Sequence, residues 1–467
     1  MLWLCLSLPQ LPLEACAPRN EGCVAITDRK GARRWLIACN QACTANGIHA
    51  GLDAAAALGL HPDLQLIPRS RRAEREALKA LAIWAGQFSG FISFDAERLL
   101  LWLEIGSSLR YFGGLATLEK NILTSLDALG YTGHPGIART PEAAALIAYA
   151  GASHCIEEND SLRLRLSPLS LHRLALSDSS LLALQESGLR TIGEILALPR
   201  ASLARRLGPA ATLYLARLLG EVPHPLLAYR APDRYQRRFE FFGAIETFEG
   251  LLFPLKRILG ELEGYLRSRD TAIQDLKVVF THEQHAPTTL QIRTTMPLRD
   301  ASKLLALLRE RLERVPFSAA AEGIIVSAER FVPLGDTQLD LLDAKRRRNE
   351  TWAGLLDKLR ARLGNDAVHH LGLRDDHRPE QAWCIASDQA PTDIPPIEVE
   401  RPLWLLKSRQ LSYLPKIIGK PERIEGGWWQ GDDVSRDYYV ADSPDGSRLW
   451  LYKDLTTGHW HLQGLWA

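Results

Sequence analysis

The chain has 467 residues, room for about three domains or more, and its 46 % hydrophobic and 24 % charged residues are ordinary for a soluble globular protein. A net charge of +1 argues against a globally basic nucleic-acid binder and leaves local basic stripes as the way phosphates would be held. No run approaches the roughly 20 apolar residues of a membrane span, so no membrane partner is expected. The apolar start, residues 1–13, has no basic residue before it and is broken by Pro9 and Pro12, the pattern of a buried strand rather than a signal peptide. Seven scattered cysteines fit a reducing cytoplasm better than a disulfide framework. Cys39 and Cys43 lack the second pair or histidines of a zinc site and read as small buried residues.

Residues 2–8 read as a buried strand. Val24-Ala25-Ile26 and Trp35-Leu36-Ile37-Ala38 read as two strands joined by a turn, and a helix over 41–45 stops at Asn46-Gly47. Apolar spacing predicts an amphipathic helix over 71–88, a strand pair at 91–94 and 99–105, and a helix over 116–130. Thr140-Pro141-Glu142 opens a further helix with proline in its first turn. Alternating strands and helices make this first third an α/β domain. Residues 167–222 read as short helices punctuated by Gly188, Pro199 and Gly208. Strands at 239–245, 273–281, 289–294 and 324–332, with helices at 249–267 and 300–314, form a compact α+β sheet domain. Residues 334–350 read as a polar linker. The remainder is proline-rich near 391–402 and then rich in tryptophan, tyrosine and turn signals, a small β-domain.

Four stretches carry a family resemblance. Gly47-Ile48-His49-Ala50-Gly51-Leu52 follows a short helix. Tyr111-Phe112-Gly113-Gly114 follows a strand. Gly188 to Pro199 reads GLRTIGEILALP, and residues 203–208 follow it. Near the C-terminus stand Pro421-Glu422-Arg423-Ile424, Gly427-Trp428-Trp429 and Arg436-Asp437-Tyr438-Tyr439-Val440. In this order the first three resemble the Y-family translesion DNA polymerases, and more closely their non-catalytic bacterial relatives, the ImuB family, whose tail the fourth resembles. The resemblance implies a multidomain right hand: palm over 1–165 with fingers inserted at about 16–70, a helix-hairpin-helix thumb over 166–232, and a little finger over 233–333. A linker at 334–350 and a mostly-β C-terminal extension, 351–467, complete it.

Polymerase chemistry needs two divalent metals about 3.5–4 Å apart, held by hard carboxylate oxygens. Where the Y family places these acids, this chain has Cys5 and Ser7 on the first strand and Ser93-Phe94-Asp95-Ala96 on the hairpin. Asp95 is the remnant, and Cys5 and Ala96 mark lost positions. The triphosphate-holding positions are Gln41, Thr44 and Ala145, so the charge-assisted clamp on phosphate is missing as well. A slip in register would bring in Glu97, Glu104 or Arg139. The chain is therefore expected not to be an enzyme and to need no cofactor. An active polymerase with displaced metal ligands is the alternative, and a plain DNA-binding protein a second one.

Several non-catalytic parts remain. Gly188, Arg190, Thr191 and Gly193 form the helix-hairpin-helix turn, whose backbone N–H groups would face DNA phosphates without reading sequence. Arg237, Arg238, Lys277 and Arg293 are spaced as a strand-face grip that salt would weaken. Gln338-Leu339-Asp340-Leu341-Leu342 resembles the peptide that binds the β sliding clamp, with three leucine anchors and a glutamine head. Gln410-Leu411-Ser412-Tyr413-Leu414 is a poorer copy. Lys345 to Arg348 would touch DNA or solvent. The aromatics Trp404, Trp428, Trp429, Tyr438, Tyr439, Trp450, Trp460 and Trp466 are expected as core, with some left for partners. The resemblance implies a role in damage-induced mutagenesis and translesion synthesis. The chain would join DNA and the sliding clamp to an error-prone replicative-type polymerase alpha subunit and an ImuA-type RecA-like protein.

Overall fold

The computed structural model describes residues 1–16, 22–31, 33–151, 159–314, 319–334, 344–364, 367–374, 376–386, 400–428, 431 and 433–466. In chain order the first part contains β1 (Trp3–Ser7), α1 (Leu11–Cys16), β2 (Val24–Lys30), β3 (Arg33–Cys39), α2 (Gln41–Ala45), α3 (Ala54–Leu60) and β4 (Gln65–Pro68). Then come α4 (Arg71–Ala85), β5 (Ile92–Asp95), β6 (Leu100–Glu104), α5 (Leu115–Ala128), β7 (His134–Ala138) and α6 (Pro141–Ala150). The strands form two sheets, one ordered β5-β6-β1-β7 and a smaller one ordered β3-β2-β4. β1 is buried on both faces, which explains why it is apolar up to its last residue, Ser7. Its even side chains, Leu2 to Leu8, pack under α4 and α5. Its odd side chains Trp3 and Cys5 face α6 and the helices that follow. Gly136 permits that second contact: a Cβ there would lie 2.2 Å from the Ala144 carbonyl oxygen and 2.4 Å from the Ala148 nitrogen.

The next helices are α7 (Asn159–Leu166), α8 (Asp178–Glu186), α9 (Ile192–Leu196) and α10 (Arg200–Leu218). α10 bends sharply at Gly208, whose φ of 80° suits glycine. Then follow β8 (Tyr235–Ile245), α11 (Phe248–Ser268), β9 (Thr271–His282), β10 (Thr288–Leu298), α12 (Ala301–Leu312), β11 (Ala321–Ala328) and β12 (Phe331–Pro333). The sheet order is β10-β9-β11-β8, with β12 on β9. α11 and α12 cover one face of this sheet and enclose its core. α13 (Ala344–Leu363) follows. The basic half of the segment read as a linker is thus helical. The helix is tied to β10 by Asp357, whose carboxylate accepts from the Thr295 N–H and hydroxyl, both at 2.7 Å.

Contacts divide the chain into two compact units, Met1–Arg362 and Leu363–Ala467. The second holds a hairpin of β13 (His370–Leu373) and β14 (Trp383–Ala386). It also holds a five-stranded antiparallel sheet of β15 (Trp404–Gln410), β16 (Lys416–Gly426), β17 (Val434–Asp442), β18 (Arg448–Asp454) and β19 (Trp460–Leu465). The order is β15-β19-β18-β17-β16. The chain is therefore multidomain α/β and α+β with a strand-rich C-terminal part.

Candidate functional site

Strand register decides which candidate side chains meet. Cys5 and Ser93 both stand opposite Trp102, while Ser7 and Asp95 both stand opposite Leu100. Residues directly opposite on neighbouring strands point to the same face, so Cys5, Ser7, Ser93 and Asp95 share one. β6 runs between β1 and β5 and keeps them two strand spacings, about 10 Å, apart. Ala96 lies beyond β5, in the turn. Asp95 closes that turn: its Oδ1 accepts the N–H groups of Glu97 at 2.9 Å and Arg98 at 3.1 Å.

An ion pair lies over this face. The Arg98 guanidinium donates to both Glu142 oxygens, at 3.2 and 3.1 Å, and sits 5.7 Å from the Trp102 ring centre. Tyr149 donates its hydroxyl to the Arg98 carbonyl at 2.8 Å, and His224 Nδ1 lies 3.2 Å from Glu142. Burial pushes the Cys5 thiol well up and Tyr149 and Tyr214 to about 12, while it lowers His224. A protonated thiol, two serine hydroxyls, the Asp95 carboxylate engaged in a turn and the Glu142 carboxylate taken by Arg98 do not supply the hard oxygen cage that two magnesium ions require. The guanidinium already present opposes a further cation. Among the described residues, no group of three or more His, Cys, Asp or Glu side chains is arranged to hold a metal. The slipped alternatives lie elsewhere. Glu97 pairs with Arg71. Glu104, at the far end of β6, accepts from the Leu2 and Gly106 N–H groups, and Arg139 follows β7. Gln41 opens α2, the Thr44 hydroxyl donates to the Asn40 carbonyl, and Ala145 is fully buried in α6.

The turn between α8 and α9 does not work as expected. Gly188 and Leu189 donate to the Gln185 and Leu184 carbonyls, while Ile192 and Gly193 donate to those of Leu169 and Ser167. Arg190 and Thr191 donate their backbone N–H groups to Glu194 Oε2 at 2.7 and 3.0 Å, and the Thr191 side chain completes a capping box. Every backbone donor from 188 to 193 is thus used internally, and a carboxylate sits where the phosphate was expected. The Thr-x-x-Glu spacing announces this cap in the sequence. Of that turn, the exposed Arg190 side chain is the part left to meet an anion.

The strand-face cations also separate. Arg237 points inward, opposite buried Val326, and donates to buried Glu261 at 2.9 Å. It is a core ion pair, not part of a DNA grip. Neighbouring residues on a strand alternate faces, so Arg238 points outward and forms an exposed pair with Glu240. Exposed Lys277 stands opposite Gln291, and Arg293 lies 3.5 Å from Asp275 across the strands. Arg238, Lys277 and Arg293 therefore share the outer face of the sheet, away from α11 and α12.

Gln338, Leu339, Asp340, Leu341 and Leu342 lie outside the described residues, as does Trp429. Among the C-terminal aromatics, Tyr438 stacks on Trp450 at 4.4 Å and joins Tyr452 in the core. Trp404 and Trp428 are exposed.

No family model matches the chain. It is 28 % identical over 461 residues to Protein ImuB of two Caulobacter vibrioides strains, NA1000 / CB15N and ATCC 19089 / CIP 103742 / CB 15. The match covers 90 % of this chain and the whole of each relative. The chain resembles ImuB. This ImuB-like chain is also similar to solved Y-family structures. These include DinB from Sulfolobus solfataricus (TM-score 0.39) and a Dbh-Dpo4 chimera (TM-score 0.40). Each is 15 % identical, and each match covers 71 % of this chain and all of the other. The described part of the ImuB-like chain has no helix long and apolar enough to cross a membrane.

Proposed function

We propose that this protein is a non-catalytic, polymerase-like DNA-binding adaptor of damage-induced mutagenesis. One observation carries the reading: on the face shared by Cys5, Ser7 and Asp95, the one strand carboxylate serves a turn and the Glu142 carboxylate above it is taken by Arg98. The similarity to ImuB along the chain supports it. In this reading residues 1–165, 166–232 and 233–333 are palm with fingers, thumb and little finger. Arg190, Arg238, Lys277 and Arg293 hold the phosphate backbone without reading bases. Gln338 to Leu342 dock the chain on the β sliding clamp. The C-terminal part meets an ImuA-type RecA-like protein and an error-prone polymerase alpha subunit, which performs synthesis. The protein works in the cytoplasm.

Primer extension by the purified chain with magnesium or manganese tests the catalytic half. A blank lane beside measurable duplex binding is expected. Extension that disappears with Asp95→Ala would overturn the reading in favour of a polymerase with displaced ligands. Clamp capture that survives alanine at Gln338, Leu339 and Leu341 would remove the tether.

A further inference from the structure

Residues 401–421 contain Arg401, Lys407, Arg409, Lys416 and Lys420 and no aspartate or glutamate, inside a chain whose net charge is only +1. The fold turns this run into β15, β16 and their five-residue link, and these two strands are the opposite edges of the C-terminal sheet. Four strand spacings, about 19 Å, would separate them in a flat sheet. A five-residue link fully stretched reaches about 20 Å. The free link is shorter still, because the Leu411 N–H is held on β19 by the Trp460 carbonyl at 2.8 Å and the chain bends at Ser412 and Tyr413. The sheet must curl and bring its two basic edges toward each other. Glu422 takes Arg401 in a two-pronged pair at 2.5 Å. Among the described residues no carboxylate pairs with Lys407, Arg409, Lys416 or Lys420. Six of the seven β15 side chains are exposed. Trp404 is 60 % and Tyr413 57 % exposed, although large aromatics normally fill a core. Trp404 and Arg409 stand opposite Leu465 and Leu462, which face Leu449 and Leu451, so the aromatic and the cation lie on one side.

We propose that this basic, aromatic edge is a second nucleic-acid site, and that its ligand is single-stranded DNA. Unpaired cations along two approaching strands suit a polyphosphate backbone. Exposed tryptophan and tyrosine offer stacking platforms, and bases present their faces only when unpaired. Strand addition by a peptide is opposed here. Both edges carry register shifts, Pro421 has no N–H to give, Gly419 sits at φ 80°, and lysines flank the open hydrogen-bonding groups. The surface belongs to the C-terminal unit alone and is independent of Arg190, Arg238, Lys277 and Arg293. It lets the protein hold the unpaired template strand separately from the duplex.

The test uses the full chain, a fluorescein-labelled oligothymidylate and a labelled duplex, titrated between about 50 and 200 mM salt. Charge reversal at Lys407, Arg409, Lys416 and Lys420 is expected to lower the log–log salt slope for the single strand by about 3, at about 0.7 per phosphate contact. Tyr413→Ala and Trp404→Ala are expected to weaken single-strand binding about tenfold each through lost stacking, with the slope kept. Iododeoxyuridine photo-crosslinks should map to Trp404 or Tyr413. Single-strand affinity and slope unchanged in both variant sets would overturn the inference, provided near-ultraviolet dichroism shows the sheet intact. Crosslinks confined to residues 1–362, or competition by polyglutamate equal to that of unlabelled oligothymidylate, would do the same. Charge reversal at Arg238, Lys277 and Arg293 is the separate arm. Loss of duplex binding there, with the C-terminal variants like the parent, overturns this inference and leaves the proposed function standing.

Discussion

Glu14 offers the sharpest test of the energetics. It lies in α1 with Oε1 accepting the Thr132 N–H at 2.9 Å and Oε2 buried without a hydrogen-bond partner. Arg257 is near but donates to the Glu14 backbone carbonyl, at 2.7 Å, while its guanidinium lies 3.6 Å from the Tyr131 ring centre. Burial therefore outweighs the Thr132 bond and the Arg257 charge, and the carboxyl titrates at about 7 instead of 4.5. The folded state binds this proton more tightly than the unfolded chain. The stabilisation is complete below pH 4.5 and is lost as pH rises through about 7. At about 1.4 kcal/mol per pH unit the gap corresponds to about 3 kcal/mol. Glu14→Gln keeps the acceptor for Thr132 and removes the charge, and its unmatched amide N–H group costs about 1 kcal/mol. The variant should thus be more stable than the parent at pH 8 by about 2 kcal/mol, which is on the order of 4 °C in Tm. That advantage should vanish near pH 4.5. Thermal melts of both proteins at the two pH values decide it. Equal Tm values at pH 8, or the same gap at both, would refute burial as the cause.

Arg237→Met should destabilise by about 3–5 kcal/mol in urea unfolding, because it strands the buried Glu261 charge. Arg238→Met, one residue away, should stay within about 0.5 kcal/mol. Gly136→Ala should cost several times the usual ~1 kcal/mol of a point mutation, since its Cβ meets the α6 backbone at 2.2 Å. Soluble yield and Tm both report it. Asp95→Ala removes the acceptor of two turn N–H groups and should lower stability by about 1 kcal/mol with no change in primer extension. Lys277→Glu should reduce the salt slope for duplex DNA by about 1 if that lysine meets a phosphate. An unchanged slope would remove it from the grip.

The sequence by itself determined most elements and their type. The apolar run of β1, the Thr140-Pro141 helix start and the Thr-x-x-Glu cap of α9 are local signals, and the backbone obeys them locally. It also carried the identities that matter chemically, Cys5 and Ser7 where carboxylates were sought, and the acid-free run from Arg401 to Pro421. The faces were legible in part: strict alternation already separates Arg237 from Arg238, but not which of them faces inward. That depended on which side α11 and α12 cover, a long-range matter. Tertiary structure alone decided the rest. Arg98 and Glu142 are 44 residues apart and meet because α6 packs over the sheet face beside the β5–β6 turn. The basic run became a two-edged surface because three later strands pair between its halves. Hydrogen bonding and packing between distant segments set these outcomes, and residue type and spacing do not encode them locally.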